Sequence, residues 1–118
     1  MSVLFLEYPP CSTCKKAKNY LLDKNIDFID RDITTNNPTK EELSLWYKKS
    51  GLPLKRFFNT SGILYREMEL KDKLSSMSED EQLELLSTNG KLVKRPLVVG
   101  ENYVLIGFKE EQWNEVIK

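Results

Sequence analysis

The feature that most constrains this chain is a pair of cysteines three positions apart, placed where an apolar run meets a helical pattern. Cys11 and Cys14 are the only cysteines among the 118 residues. The run Val3–Leu6 before them is short and apolar, which is typical of a buried strand, and two prolines end it. Beyond the pair, apolar residues recur at the spacing of a helix with one buried face: Ala17, Tyr20 and Leu21. The chain is therefore predicted to pass from strand to helix at the cysteines.

This position predicts reactive sulfur chemistry. Cys11 falls just before the helix and Cys14 falls within its first turn. The unpaired N–H groups and the positive end of the helix dipole favour an anion there, so a thiolate gains stability and the thiol pKa is expected to fall. Lys15 and Lys16 follow in the same turn, where cations are unfavourable for the helix dipole. Their presence indicates that a negatively charged group forms or binds at the site.

Two alternatives to a redox role must be weighed for the cysteine pair. A structural zinc site needs about four nitrogen or sulfur ligands, whereas this chain offers two cysteines and no histidine. Zinc held within one chain is therefore nearly excluded, and no metal is expected. The pair could also be two ordinary cysteines that share a helix end. However, Cys-x-x-Cys at a strand-to-helix turn is typical of a dithiol motif, and the spacing allows a disulfide through a short turn.

Composition excludes several classes of function. Lysine plus arginine and aspartate plus glutamate both number 18, so the net charge is zero and no direct nucleic-acid contact is expected. The absence of histidine removes Ser-His and Cys-His nucleophile pairs. No stretch approaches the roughly 20 apolar residues of a membrane span, and Glu7 interrupts the N-terminal run too soon for a signal peptide. We therefore expect a cytoplasmic protein with no membrane contact and no cofactor.

The first half of the chain predicts a second strand and a capped helix. The strand is expected at 28–33, after a turn at Lys24-Asn25. A capping box, Thr39–Glu42, begins a helix that 50–53 ends. The apolar face of that helix is formed by three residues: Leu43, Trp46 and Tyr47. From 54 to 77 the pattern is irregular and predicts one or two small helices, around Phe57-Phe58 and Leu70–Lys73.

The second half predicts another capped helix, a hairpin and a final helix. The capping box Ser78–Glu81 begins a helix that stops at Asn89-Gly90. The β-rich runs 97–99 and 103–106 flank a hairpin signal. An amphipathic helix carrying Trp113, Val116 and Ile117 ends the chain. These elements predict an α/β fold with a four-stranded mixed sheet and helices on both sides.

The order of elements resembles the thioredoxin fold, and particular segments carry a narrower resemblance. They are the Cys-x-x-Cys helix, residues 57–62, residues 94–96 before a strand, and residues 107–111 before the last helix. Together they are similar to the arsenate reductase (ArsC)/Spx family over essentially the whole chain. The resemblance implies one thioredoxin-like domain over 1–118, with a central helical insertion at about 38–89.

The resemblance also implies site residues around Cys11. Arsenate reductases of this type surround a cysteine nucleophile with arginines, and Arg95 falls on one of those positions. Asn59 and Phe108 stand where two other arginines would be, with Arg56 three residues before Asn59. Lys109 follows Phe108. Arg56 is equally well explained as a solvated surface charge.

Further contacts with the substrate are expected from two more residues. By resemblance, Pro96 takes the place of the cis-proline that faces the cysteine in thioredoxin-like folds, although a proline that opens a strand is the ordinary alternative. Lys15 is expected to help stabilise the thiolate. The candidate site therefore has Cys11 as nucleophile, Cys14 as resolving thiol and Arg95 as anion donor. Lys15, Arg56, Asn59 and Pro96 are its candidate substrate-binding residues.

Two functions of different class remain open. The first is a thiol-disulfide oxidoreductase that reduces a disulfide or an oxyanion such as arsenate. Its partners would be a thiol reductant, either a thioredoxin-like protein or a low-molecular-weight thiol, and a small-molecule or protein disulfide. The second is an Spx-type redox regulator that binds the α subunit of RNA polymerase. Spx-type chains are longer and carry arginine where this chain has 60–62, while Gly51 lies near their polymerase-contacting glycine and also suits a helix C-cap.

Overall fold

A computed structural model describes residues 2–117. This part of the chain forms four strands and six α-helices, and three short 3₁₀ turns lie at Leu54–Phe57, Leu74–Ser76 and Gly90–Leu92. The elements follow in this order: β1 (Val3–Glu7), α1 (Ser12–Asp23), β2 (Phe28–Asp32), α2 (Lys40–Ser50), α3 (Ile63–Glu67), α4 (Leu70–Lys73), α5 (Glu79–Thr88), β3 (Leu97–Val99), β4 (Val104–Ile106) and α6 (Glu110–Val116). No helix among residues 2–117 has the length and apolarity needed to cross a membrane.

The strands form one mixed sheet in the order β2-β1-β3-β4. Strands β1 and β2 are parallel, with Val3 opposite Phe28, and α1 makes the crossover between them. Strand β3 is antiparallel to both β1 and β4, and the β3–β4 hairpin is the one that the sequence indicates. The four-stranded mixed sheet and the thioredoxin-like fold are therefore confirmed.

Each face of the sheet carries its own apolar core because side chains alternate along the strands. Val3 and Phe5 of β1 pack with α1 and α6, where Trp113 is fully buried. Leu6 faces the other way, into a larger core built with α2 to α5. The helices between β2 and β3 thus cover one face, and the N- and C-terminal helices cover the other. The C-terminal end of β1, which leads to the cysteines, therefore lies between these two layers of helices.

The two capping boxes form as the sequence predicts. The Thr39 hydroxyl accepts the Glu42 N–H at 3.1 Å, and the Glu42 carboxylate accepts the Thr39 N–H at 3.0 Å. Ser78 and Glu81 make the same reciprocal pair at the start of α5. Each box satisfies two N–H groups that the first helical turn would otherwise leave without a partner.

The structure differs from the sequence prediction in three local features. Helix α3 is absent from the prediction, because it is only five residues long and no side chain caps it. The small helix expected around Phe57-Phe58 is the 3₁₀ turn Leu54–Phe57, and Phe58 leaves it in an extended conformation. At the C-terminus, Val116 is 38% exposed, Trp113 is the buried residue of α6, and Ile117 packs partly buried against the same core just after the helix.

A short antiparallel contact ties the helical insertion to the start of β3. Phe58 and Val93 form an isolated β-bridge. On either side of it, the Asn59 N–H donates to the Leu92 carbonyl and the Lys94 N–H donates to the Phe57 carbonyl, each at 2.8 Å. This contact brings the segment after the 3₁₀ turn beside the residues that precede β3.

Candidate active site

Cys11 is the N-cap of α1 and lies at the positive end of the helix dipole. Its backbone N–H donates to the Tyr8 carbonyl at 2.9 Å, which closes the turn between strand and helix. Partial burial raises the pKa of the thiol, but hydrogen bonds from the backbone N–H groups of Cys14 and Thr13 outweigh it. The Cys14 thiol and the Arg95 guanidinium add to them, so the pKa of Cys11 lies below its usual range. Cys11 is half-buried and reachable from solvent.

Cys14 has the opposite character. Its side chain is fully buried, and the Tyr8 N–H donates to its sulfur at 3.5 Å. Burial raises the pKa of the Cys14 thiol to about 12, and the neighbouring Cys11 sulfur raises it further, while the Tyr8 N–H opposes the rise. The two sulfurs are both reduced and contact each other through the first turn of α1. One is therefore an accessible thiolate and the other a protected thiol.

Arg95 lies against the cysteines from the loop before β3. Its guanidinium carbon stands 4.7 Å from the centre of the Tyr8 ring, and the side chain helps to lower the pKa of Cys11. One of its nitrogens, Nη1, is buried and has no hydrogen-bond partner among the described residues. A buried donor without an acceptor is unfavourable, which marks this nitrogen as a donor of the site that lacks a partner.

Cys11 opens into a cavity of about 300 Å³. Four cations line it: Arg56, Lys94, Arg95 and Lys109. Among the described residues, no carboxylate lines it. Phe108 and Ile106 form an apolar wall. This cavity, which we call the cysteine cavity, therefore favours an anion beside the sulfur.

A second cavity of about 570 Å³ adjoins the first. Tyr8, Ile63 and Leu64 provide its apolar surface. Its polar lining is formed by amide, hydroxyl and cationic side chains: Asn59, Ser61, Asn89, Lys91 and Arg95. Asn59 and Arg95 belong to both cavities and form the wall between them. We refer to this space as the side cavity.

Most of the residues that the sequence nominates lie around Cys11. Arg56 and Asn59 line the cysteine cavity. Pro96 is buried behind it, follows a cis peptide bond from Arg95, and accepts the Gly107 N–H at 2.8 Å. Lys15 is different: it is exposed on the first turn of α1 and lines neither cavity. The cations that line the cysteine cavity come from other elements.

Sequence reasoning did not single out Tyr8 or Lys94, which both belong to the site. Tyr8 contacts Arg95 with its ring and Cys14 with its backbone N–H. Lys94 precedes Arg95 and lines the cysteine cavity. The only available signal was their adjacency to the cysteine turn and to Arg95. Neither contact has a spacing pattern, because each depends on side chains that meet across the fold.

A charged cluster with one buried member, Glu7, lies on the α1 side of the sheet, just before the cysteine turn. Glu7 is 4% exposed, and Lys18 Nζ lies 3.5 Å from Glu7 Oε2 and 2.7 Å from Asp30 Oδ2. Burial raises the pKa of Glu7 to about 7, with further contributions from the hydrogen bond and repulsion with Asp30, whereas Lys18 lowers it. Asp30 keeps its negative charge and has a lowered pKa despite partial burial, since Glu7 and Lys18 both hydrogen-bond it.

Solved structures with the same fold share much of this sequence. A protein of Bacteroides fragilis described as ArsC-family related is 58% identical, with a TM-score of 0.94 and coverage of 98% of each chain. A protein of Streptococcus mutans described as a possible arsenate reductase is 45% identical, with a TM-score of 0.87, over 95% of this chain and 97% of that one. Both therefore share the fold described above.

A regulatory protein is also similar. MgsR of Bacillus subtilis is 30% identical over 104 residues, which cover 88% of this chain and 81% of that protein. Similarity therefore extends to both functional classes that the sequence leaves open. The ArsC family model matches residues 6–116, a span that contains the cysteine turn, the helical insertion, the Arg95 loop and the last helix. On these grounds the chain belongs to the ArsC family.

Proposed function

We propose that this protein is a thiol-disulfide oxidoreductase in which Cys11 is the attacking thiolate and Cys14 the resolving thiol. The observation that carries the proposal is the opposite environment of the two sulfurs. Cys11 is accessible and has a lowered pKa, whereas Cys14 is buried and has a pKa of about 12. The two steps require this division. The thiolate attacks the substrate, whereas the buried thiol stays protonated and unreactive until the mixed disulfide has formed on Cys11.

In the first step, the Cys11 thiolate attacks one sulfur of a disulfide. A new bond forms between Cys11 and that sulfur, the original S–S bond breaks, and its electron pair leaves on the second sulfur as a thiolate. The cations of the cysteine cavity stabilise the charge of the leaving thiolate, with Arg95 beside the reacting atoms. A proton from solvent then neutralises the leaving group.

In the second step, Cys14 attacks the Cys11 sulfur and releases the remaining thiol. Burial is the main cause of the raised pKa of Cys14, and the hydrogen bond and charge of Cys11 are the next ones that raise it. When Cys11 is bonded to substrate, its negative charge is gone, so Cys14 loses its proton more readily. The product is a Cys11–Cys14 disulfide, which an external dithiol or two low-molecular-weight thiols return to the reduced pair. Cytoplasmic thiol pools suit this cycle.

The surroundings of Cys11 favour a disulfide over arsenate as the oxidised substrate. Arsenate carries negative charge that several arginines would hold in a bidentate manner. In this chain Asn59 and Phe108 occupy two of the expected arginine positions, which leaves Arg95 as the arginine beside the sulfur. Arg56 lines the same cavity but is exposed to solvent. We therefore rank a disulfide first and arsenate second.

A coupled assay tests this function. The purified protein is given bis(2-hydroxyethyl) disulfide or arsenate in separate reactions, with either a thioredoxin system or glutathione and its reductase, and NADPH oxidation is followed. We expect multiple turnover with the disulfide and at most slow turnover with arsenate. Cys11→Ser serves as the control and should abolish the rate. Absence of turnover with every substrate and reductant would contradict the proposal.

The regulator remains a second candidate because of the similarity to MgsR. The residue that would carry it is Gly51, which ends α2 in a left-handed conformation with φ of 67°. A Cβ built at Gly51 would meet nothing within 4 Å, so the surface around it is open to a partner. Its conformation already explains the glycine as a helix C-cap, however, so Gly51 does not by itself indicate a regulator.

A further inference from the structure

The side cavity adds a second binding region to the site of attack. It joins the cysteine cavity across Arg95 and Asn59, so a molecule bonded to Cys11 can extend directly into it. Its volume of about 570 Å³ is nearly twice the 300 Å³ beside the sulfur. A ligand that filled only the cysteine cavity would leave the larger space unused.

The two cavities differ in chemistry. The cysteine cavity is lined by four cations, whereas the side cavity combines apolar surface with amide and hydroxyl groups and has two cations, Lys91 and Arg95. Ile63 is the most exposed apolar residue of the side cavity, with 65% of its surface accessible. The amide of Asn59 can donate and accept, which matches the paired N–H and C=O groups of a peptide, while Asn89 Oδ1 accepts the Lys91 N–H at 2.9 Å and leaves its NH₂ group to donate. No carboxylate among the described residues lines the side cavity, so a positively charged ligand has no partner there.

The wall between the cavities supplies a donor that needs an acceptor. Arg95 Nη1 is buried and unpartnered among the described residues, while the rest of the side chain is held by Tyr8 and Cys11. A peptide carbonyl crossing this wall would satisfy that nitrogen. The position of Asn59 is fixed by its N–H, which donates to the Leu92 carbonyl, and by close packing on Gly62. A Cβ at Gly62 would lie 2.7 Å from Asn59 Nδ2, so only glycine leaves the amide in place.

We propose that the side cavity binds the peptide arm of a disulfide substrate, and that this peptide has an apolar residue next to its cysteine and no positive charge. The proposal rests on the proposed function and specifies its substrate class. The apolar side chain lies against Ile63 and Leu64. The peptide backbone crosses Arg95 and Asn59, and the other arm of the disulfide occupies the cationic cysteine cavity.

This arrangement fixes which sulfur is attacked. Cys11 bonds to the sulfur of the peptide cysteine, and the other arm leaves as a thiolate into the cationic cavity. The peptide then remains on Cys11 until Cys14 displaces it as a thiol and forms the Cys11–Cys14 disulfide. The thiol reductant of the proposed function reduces that disulfide and completes the two-electron balance.

The test uses two uncharged five-residue peptides, each with a central cysteine in a disulfide with 2-mercaptoethanol. The neighbours of the cysteine are leucine in one peptide and serine in the other. With the wild-type protein, we expect kcat/KM for the leucine peptide to be about tenfold higher, as for apolar groups buried in a pocket. With Cys14→Ser, which traps the first intermediate, mass spectrometry should find the peptide and not 2-mercaptoethanol on Cys11.

A matched pair of variants localises the preference. Ile63→Ala should reduce the ratio between the two peptides about threefold or more. Leu45→Ala, which changes an equally exposed apolar residue (65%) on α2, should leave the ratio unchanged. Equal rates for the two peptides, or a ratio that Ile63→Ala does not change, would overturn the inference. In that case, turnover of bis(2-hydroxyethyl) disulfide would still uphold the proposed function. Failure to react with any disulfide would overturn both.

Discussion

The guanidinium carbon of Arg95 lies 4.7 Å from the centre of the Tyr8 ring, and this contact connects the two cysteines. Arg95 helps to lower the pKa of Cys11, while the backbone N–H of Tyr8 donates to the Cys14 sulfur. The ring and the guanidinium also line the side cavity together. One stacked pair therefore contacts both thiols and the expected path of the substrate.

Replacing Arg95 tests the charge at the reacting sulfur. Arg95→Ala removes a hydrogen bond that lowers the pKa of Cys11, so the pH midpoint of its alkylation should rise. We expect kcat/KM to fall about tenfold to a thousandfold, as when roughly 1.5–4 kcal/mol of transition-state stabilisation is lost. Arg95→Lys should recover only part, because an ammonium lacks the planar fork. Stopped-flow alkylation and the coupled assay measure the two effects.

Arg66→Ala is the matched control for Arg95, since it removes an exposed arginine on α3 that lines neither cavity. It should change neither the alkylation midpoint nor the rate. Robust turnover that is indifferent to Arg95→Ala would leave a generic dithiol reductase without an anion site.

The two thiols should differ in reactivity by a wide margin. At neutral pH, Cys14→Ser, which retains Cys11, should react with iodoacetamide much faster than Cys11→Ser, which retains Cys14. The reason is that Cys11 is accessible with a lowered pKa, whereas burial raises the pKa of Cys14 to about 12. Alkylation rates followed by mass spectrometry from mildly acidic to mildly alkaline pH check this. Faster alkylation of the variant that retains Cys14 would reverse the two roles.

Local sequence signals accounted for most of the fold. The capping boxes at Thr39 and Ser78 act through residues three positions apart, so the start of each helix can be recognised without knowledge of its neighbours. The hairpin and the strand before the cysteines are equally local. Helix α3 has no such signal, because tertiary contacts hold it: Tyr65 is buried against Phe58 in the larger core.

Less of the candidate site could be predicted. The cysteines are close in sequence, so their neighbourhood follows from one turn of helix. Asn59 reaches Arg95 only because the Phe58–Val93 bridge joins segments that are 35 residues apart in sequence (93 − 58). The side cavity has the same origin, since its walls come from the end of β1, the segment before α3, and the loop before β3. Contacts of that kind leave no periodic pattern in the amino-acid sequence.

Glu7 should make the stability depend on pH. Its pKa is raised to about 7 chiefly by burial, whereas it returns to about 4.5 in the unfolded chain. Between these values the folded protein holds more protons, so the free energy of unfolding should fall as pH rises from about 5 to 7.5. The full shift corresponds to a decrease of up to about 3 kcal/mol. Urea unfolding at several pH values measures it.

Glu7→Gln should remove that decrease, because the amide does not titrate. Glu67→Gln changes an exposed glutamate on α3 and should retain it. The other members of the cluster act outside this range: the pKa of Asp30 is lowered and that of Lys18 is raised. A pH profile that is the same in wild type and Glu7→Gln would contradict the assignment.

Variants of Gly51 distinguish the enzyme function from the regulator function. Its φ of 67° strains any residue with a Cβ, so Gly51→Arg should lower the free energy of unfolding by about 1–2 kcal/mol, and Gly51→Asn by less. Because Gly51 lines neither cavity, both variants should keep wild-type turnover. We also expect no complex between the wild type and the α subunit of RNA polymerase in a calorimetric titration. Binding that Gly51→Arg abolishes and Gly51→Asn preserves, together with no turnover by the wild type, would instead establish the regulator.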